Sequence, residues 1–435
     1  MINYNKVSNK MKEEFFEFFS IFLKGMSKVQ IKFIVTLAFG ILATKTVLLS
    51  KISESLNEKT SKKKIIERLS RNLADFKGYD NLNNNYLNYI SPEVTKDTVF
   101  VMDTTDYNKQ YAKAMENIGR FKDASAKGEV VVNGYACEEI IMLNGVKHPI
   151  SVQSEVYSNR DENQNKIPGI KKDVIKKVLK NNVDAFGTNG IYTQDRGYDD
   201  HELFEYQAEL GITFICRVKK NRIVTTKNGK KVKITKVIKN SKKRCQITIY
   251  LKGKKVKVSA SHAVVLINGK KYNLIACYGL KDETDALNHD NDTDPFLLLT
   301  NMEIKSKDDI YKVVLTYAKR WKIEEFFRVK KDEYDFENFR VRKLNAIKTL
   351  NLIMNITLAF VAKLSDKAPE KQNELVEEVI IIADGLKKKV RFWMYRISEG
   401  TKKLFSKISN NLLDSFFVWQ KREKPRIKQL DFFAI

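Results

Sequence analysis

The stretch TVFVMDTTDY, Thr98 to Tyr107, decides the architecture. Its run VFVM is apolar without a break and carries β-branched residues, as expected of a strand buried on both faces, and it stops at Asp103. A second short run, GIYTQ, stops in the same way at Asp195. Between them stand two further strand candidates in meander order, EVVVNGYACEEIIML and HPISVQSEVYS, the first broken by Asn133-Gly134, and the helical pattern KKDVIKKVLKNNVDAF. RGYDDHELFEYQAELG predicts another helix and GITFICRVKKNR another strand. Strands alternating with helices predict an α/β fold.

The flanks differ in texture. Residues 1–78 read as a helical region, and YDNLNNNYLNYISPE, rich in Asn and Tyr, reads as a linker around residues 79–93. The first part of the α/β core spans 95–221. Residues 222–294 form short β-like runs joined by Gly-Lys turns and read as an all-β insertion. The core resumes over 295–365, from DPFLLLTNMEI into a helix, and a basic helical region occupies 366–435.

The chain of 435 residues carries a formal charge of +26, with 43% hydrophobic and 11% aromatic residues. That composition fits a globular protein, and the charge favours a polyanion, nucleic acid before an acidic membrane surface. Part of the excess reflects a preference for Lys throughout. Cys137, Cys216, Cys245 and Cys277 are scattered without CxxC or a His at ligand spacing, which argues against zinc and disulfides and for a reducing, cytoplasmic setting. FIVTLAFGILATKTVLL, Phe33 to Leu49, is marginal for a bilayer span; Lys45 near its middle favours a buried helix instead.

Strand ends are where open α/β sheets place ligands, so Asp103 and Asp195 are candidate ligands for a cation, although turns and helix caps recruit Asp as well. The stretch YAKRWKIEEFFRVKK adds a third acid. Tyr317, Arg320, Glu324 and Lys331 stand at offsets 0, 3, 7 and 14. On one continuous helix they fall within an arc of about 60°, on an otherwise apolar circumference. The stripe holds two cations to one anion, so an internal ion pair leaves a positive charge seeking an anion, such as a phosphate. Three carboxylates without His or Cys suit two Mg²⁺ ions, with Mn²⁺ as a substitute.

These residues resemble the DDE transposases of bacterial insertion sequences, in particular the subgroup with the signature Tyr-x2-Arg-x3-Glu-x6-Lys. The signature is complete as Tyr317, Arg320, Glu324 and Lys331, and it is joined by the DTT context of Asp103, the DRGYD context of Asp195, the FICRV strand with Arg217 and the LLLT strand. The resemblance spans about residues 30–360. It implies an RNase H-like core interrupted by a β insertion, with Asp103, Asp195 and Glu324 as catalytic metal ligands. Tyr317, Arg320, Lys331 and Arg217 would hold DNA phosphates. It further implies double-stranded DNA partners (terminal inverted repeats and target), a homodimer when two ends are paired, and a cytoplasmic, nucleoid-associated protein. Some members stack a flipped base on an aromatic before the LLLT strand, where this chain has Phe296.

Other signals are weaker. DNDTDP, Asp290 to Pro295, lacks the Gly and Glu of a calcium loop and reads as solvated loop. Glu325 lies about 100° round the helix from Glu324, which leaves the metal to Glu324. Asp106 and Asp199 are placed to support the two aspartates. ILATKTVLLSKISESL is as consistent with a packed helix pair as with a helix-turn-helix, and the basic face of Lys62, Lys63, Lys64, Arg68 and Arg71 is the better DNA contact. Two rival readings remain: an RNase H-like nuclease without strand transfer, and a non-catalytic DNA-binding relative.

Overall fold

The computed structural model describes residues 2–122, 130–145, 147–239, 244–251, 254–279, 295–368, 373–384, 393–408 and 415–421. The DNDTDP run falls outside these residues apart from Pro295, as do the basic runs at 385–391 and part of 252–257.

Five helices open the chain: α1 (Tyr4–Phe22), α2 (Lys28–Thr44), α3 (Leu49–Ser55), α4 (Lys62–Ala74) and α5 (Tyr79–Ile90). α2 is apolar because it is buried nearly all round, and it ends where Lys45 adopts a left-handed conformation (φ 53°). α3 then leaves at 92° to α2. The expected linker at 79–93 is instead α5. Its Leu82, Tyr86, Leu87 and Ile90 repeat at helical spacing and are buried, so tertiary packing overrides the weak helix propensity of Asn and Tyr.

The core begins with β1 (Val99–Asn108), β2 (Gly119–Lys122), β3 (Val131–Leu143) and β4 (Ile150–Tyr157). It continues through α6 (Ile170–Phe186), β5 (Ile191–Gln194), α7 (His201–Glu209) and β6 (Thr213–Arg217). Two sequence expectations are corrected here. β1 does not stop at Asp103 but runs on to Asn108, because beyond Val101 it stays paired with β3 after its pairing with β5 ends. β3 is not broken at Asn133-Gly134; Gly134 sits opposite Asn108, and a Cβ there would meet the Tyr107 carbonyl oxygen at 2.4 Å. The glycine permits close strand approach rather than a turn.

After β6 come β7 (Ile223–Thr225), β8 (Lys231–Lys233), α8 (Ile234–Lys239), β9 (Arg244–Leu251), β10 (Lys254–Ile267), β11 (Lys270–Tyr278) and β12 (Phe296–Thr300). Among its described residues, the segment expected to be all-β therefore contains a short helix, whose Ile234 and Ile238 are buried. All twelve strands join one mixed sheet of order β2-β3-β1-β5-β6-β12-β11-β10-β7-β8, with β4 on β3 and β9 on β10. β1, β5 and β6 are parallel neighbours.

Further helices among the described residues are α9 (Lys307–Ala318), α10 (Lys322–Arg328), α11 (Leu344–Asp366), α12 (Glu374–Asp384) and α13 (Trp393–Phe405). α11 is long and apolar enough to cross a membrane, but 83% of its apolar window is buried in the protein. It packs on β4, α2, α4 and α13. The α2–α3 pair passes the same length and composition test only as a sharply bent unit. Aromatic contacts tie the chain's two ends together: Phe15 meets Phe405, Phe39 stacks on Phe405, and Phe16 meets Phe416.

Candidate active site

Register places the two aspartates. β1 pairs with β5 at Val101↔Thr193, and β5 pairs with β6 at Gln194↔Cys216. The same offsets bring Asp103, Asp195 and Arg217 to one end of these three adjacent strands, just past the residues each pairs there. Arg217 is 7% exposed and closes β6. Asp195 leaves the sheet as the cap of a single 3₁₀ turn, its Oδ1 accepting from the Gly197 N–H at 2.7 Å.

The signature residues do not share one helix. α9 ends at Ala318, a turn covers Lys319 to Trp321, α10 follows, and Val329–Glu333 is a single π-turn. The arc expected of Tyr317, Arg320, Glu324 and Lys331 therefore does not form as one stripe. Arg320 lies in the break, where it joins two acids: Nη1 is 3.4 Å from Asp103 Oδ2 and Nη2 is 3.1 Å from Glu324 Oε1. Glu325 instead pairs with Arg328 at 2.9 Å. Tyr317 is buried, and its hydroxyl has no hydrogen-bond partner among the described residues. Lys331 turns away to the Asp106 carbonyl and to Glu337, at 2.9 Å from the latter. The π-turn explains this: one added residue per turn lets Lys330 rather than Lys331 point into the core.

Lys330 and Glu139 form an ion pair at 2.8 Å with both side chains fully buried. Asn355 Nδ2 donates to Glu139 at 2.8 Å, and Ser151 Oγ donates to the same carboxylate. Glu139 faces Asp103 across the β1–β3 ladder, so this pair anchors α10 and the π-turn beside that aspartate. Glu138, its neighbour, is also buried and accepts from Thr104 Oγ1 at 2.7 Å and from the Tyr198 hydroxyl. Thus the residue after Asp103 and the turn after Asp195 are held by one carboxylate. Neither glutamate nor Lys330 is marked by spacing in the sequence; two acids inside an apolar run, CEEIIML, are the only hint.

Electrostatics marks Asp103. Burial, followed by the charge of Asp195, raises the Asp103 carboxyl to about 7; Arg320 and the Thr104 N–H act in the opposite direction. The two aspartates offer only oxygen ligands, and an all-oxygen donor set suits a hard divalent ion. Among the described residues no group of three or more His, Cys, Asp or Glu converges at metal-ligand spacing. Glu324 is bound to Arg320 instead, on the far side of that guanidinium from Asp103. The aspartate oxygens are of the type that fits such a cation, whereas Glu324 is occupied by Arg320.

The remaining candidates separate. The Arg217 guanidinium lies 3.8 Å from the Phe296 ring centroid, and Phe296 is only 7% exposed, so its ring offers no open face to a base in this conformation. Asp199 holds the Arg222 side chain and the Lys219 N–H. On α4, Lys62 pairs with Glu54 and Arg68 with Glu58, whereas Lys63, Lys64 and Arg71 are exposed. No described hydrogen bond or ion pair links α4 to the acids.

A model of the transposase DDE domain matches residues 141–360, an interval that contains Asp195, Arg217 and the whole signature but begins after β1. No curated protein matches the chain. The matched interval covers the sheet from the last three residues of β3 to β12 and the helices that bring Arg320 and Glu324 to it, and it is half of the protein: the chain belongs to the DDE-domain transposase family.

Proposed function

We propose that this transposase cuts DNA at the ends of its own mobile element and joins the freed 3′-hydroxyl ends to target DNA. The observation that carries the reading is the placement of Asp103, Asp195 and Arg217 at one end of adjacent strands, with Arg320 reaching from Asp103 to Glu324. The sheet order β4-β3-β1-β5-β6, antiparallel on one side of β1 and parallel on the other, supports an RNase H-like core. β7 to β11 then form its insertion, and the complete signature supports the Tyr-x2-Arg-x3-Glu-x6-Lys subgroup.

Asp103 and Asp195 would hold divalent cations, Mg²⁺ or Mn²⁺, with Glu324 completing the set. When bound, such a pair supplies an activated water or 3′-hydroxyl and relieves charge at the departing oxygen of a phosphodiester. Arg320 exchanges its carboxylate partners for a DNA phosphate, which frees Glu324 and fixes the strand beside the aspartates. The Tyr317 hydroxyl gains in that phosphate the partner it lacks in the free protein. Arg217, at the end of the next strand, adds positive charge on the other side. Two copies are expected on paired ends.

The test uses a duplex carrying the element's end and a supercoiled target. Asp195→Ala is expected to abolish Mg²⁺-dependent nicking and joining while binding persists. Nicking that survives this change removes the assignment, and nicking without joined product favours a nuclease.

A further inference from the structure

We infer a second DNA-binding surface, formed by the β7–β8 hairpin and α8 at the far end of the sheet, that grips the duplex backbone away from the cut. Residues 219–239 contain nine Lys or Arg and no acid. Six of the lysines, Lys227, Lys230, Lys231, Lys233, Lys236 and Lys239, are exposed, and among the described residues none of them makes an ion pair.

Elsewhere on this protein several lysines are neutralised. Lys172 pairs with Asp200 and Glu202, Lys177 and Lys348 with Glu155, and Lys147 and Lys363 with Glu93. Exposed lysines without a described ion pair also stand elsewhere, Lys63 and Lys64 among them, but Lys227 to Lys239 gathers six within thirteen positions with no acid between them. Protection of the sheet edge accounts for Lys231 and Lys233, because β8 is the terminal strand. It does not account for Lys227 and Lys230 in the turn or Lys236 and Lys239 on the helix. Like charges packed this closely repel one another, and a polyanion relieves the repulsion.

Double-stranded DNA is the occupant that fits. Six strand steps separate β5, which ends just before Asp195, from β8. At about 4.8 Å per step the patch lies about 30 Å from the acids. That distance spans about 8–9 base pairs at 3.4 Å each, so one duplex can reach both sites. The inference rests on DNA being the substrate, but not on the identity of the catalytic acids.

The full-length variant Lys231→Glu/Lys233→Glu/Lys236→Glu tests it, compared with wild type on an end duplex at several salt concentrations. Its exposed positions leave the fold intact, which a thermal melt checks. Affinity is expected to fall at least tenfold at 0.1 M salt. The slope of log affinity against log salt is expected to flatten by about 2–3, close to 0.9 per lost phosphate contact. Nicking at saturating duplex is expected to persist, which separates this result from the loss caused by Asp195→Ala. On a duplex cut back to fewer than about 6 base pairs on the patch side, wild type and variant should bind alike. Unchanged affinity and slope on the long duplex overturn the proposal. So does a defect confined to anionic lipid vesicles.

Discussion

Asp103 on β1 and Asp195 just past the end of β5 each lie two residues beyond the last positions paired between those parallel strands, Val101 and Thr193. The charge of the second makes the first harder to ionise. Their closeness costs stability in the free protein, as at sites organised for binding rather than for folding. In chelator, Asp195→Asn is therefore expected to melt above wild type, by relief of about 1 kcal/mol of repulsion. Mg²⁺ should raise the melting temperature of wild type and leave the variant unmoved, since only the native site binds it. A variant that melts below wild type in chelator contradicts the relationship.

Tyr317 presents the same trade in a neutral group. Its hydroxyl is buried without a partner, and burial pushes the phenol's ionisation higher still, so it stays protonated. An orphaned hydroxyl costs about 1–3 kcal/mol. Tyr317→Phe should accordingly stabilise the free protein, seen as a higher urea midpoint at unchanged slope, and should cut end nicking about tenfold or more. Loss of both stability and nicking would mean that the hydroxyl already has a partner in the fold.

The buried pair of Lys330 and Glu139 makes the opposite prediction. Removing one partner leaves the other charged in the core, at a cost of about 3–5 kcal/mol. Lys330→Met should show that loss in equilibrium unfolding, and Lys330→Met/Glu139→Gln should recover most of it. A double variant as unstable as the sum of the singles would show that the two residues are not coupled.

Much of this site was legible in the chain, and the remainder failed for identifiable reasons. Apolar runs closing on an aspartate locate β1 and β5 because buried parallel strands need continuous apolar residues, and Asp103 and Asp195 end up just past the paired residues as a consequence. The signature residues are recognisable by spacing, but spacing assumes an unbroken helix. The break at Lys319–Trp321 and the π-turn at Val329–Glu333 arise from tertiary demands, namely the reach of Arg320 to Asp103 and of Lys330 to Glu139. Those partners lie 217 and 191 residues apart, beyond any local pattern. For the same reason α5 reads as a linker until α1 is available to bury Tyr86 and Leu87.

Glu138 gives the pH-dependent test. It is fully buried, and burial is the main cause that raises its carboxyl from 4.5 to about 7, against the hydrogen bonds from Tyr198 and Thr104. The folded chain therefore holds this proton more tightly than the unfolded chain does. Between pH 4.5 and 7 unfolding releases it, so wild-type stability declines as pH rises through that window and levels off above it. The full excursion is on the order of 3 kcal/mol. Glu138→Gln keeps the shape, can accept from one hydroxyl and donate to the other, and has no proton to lose. The stability of the variant relative to wild type is therefore expected to rise from pH 5 to pH 8 by most of that amount, measured by urea unfolding in chelator. A constant difference across the range would mean that Glu138 is charged at both ends of it, held so by Lys171 and the two hydroxyls.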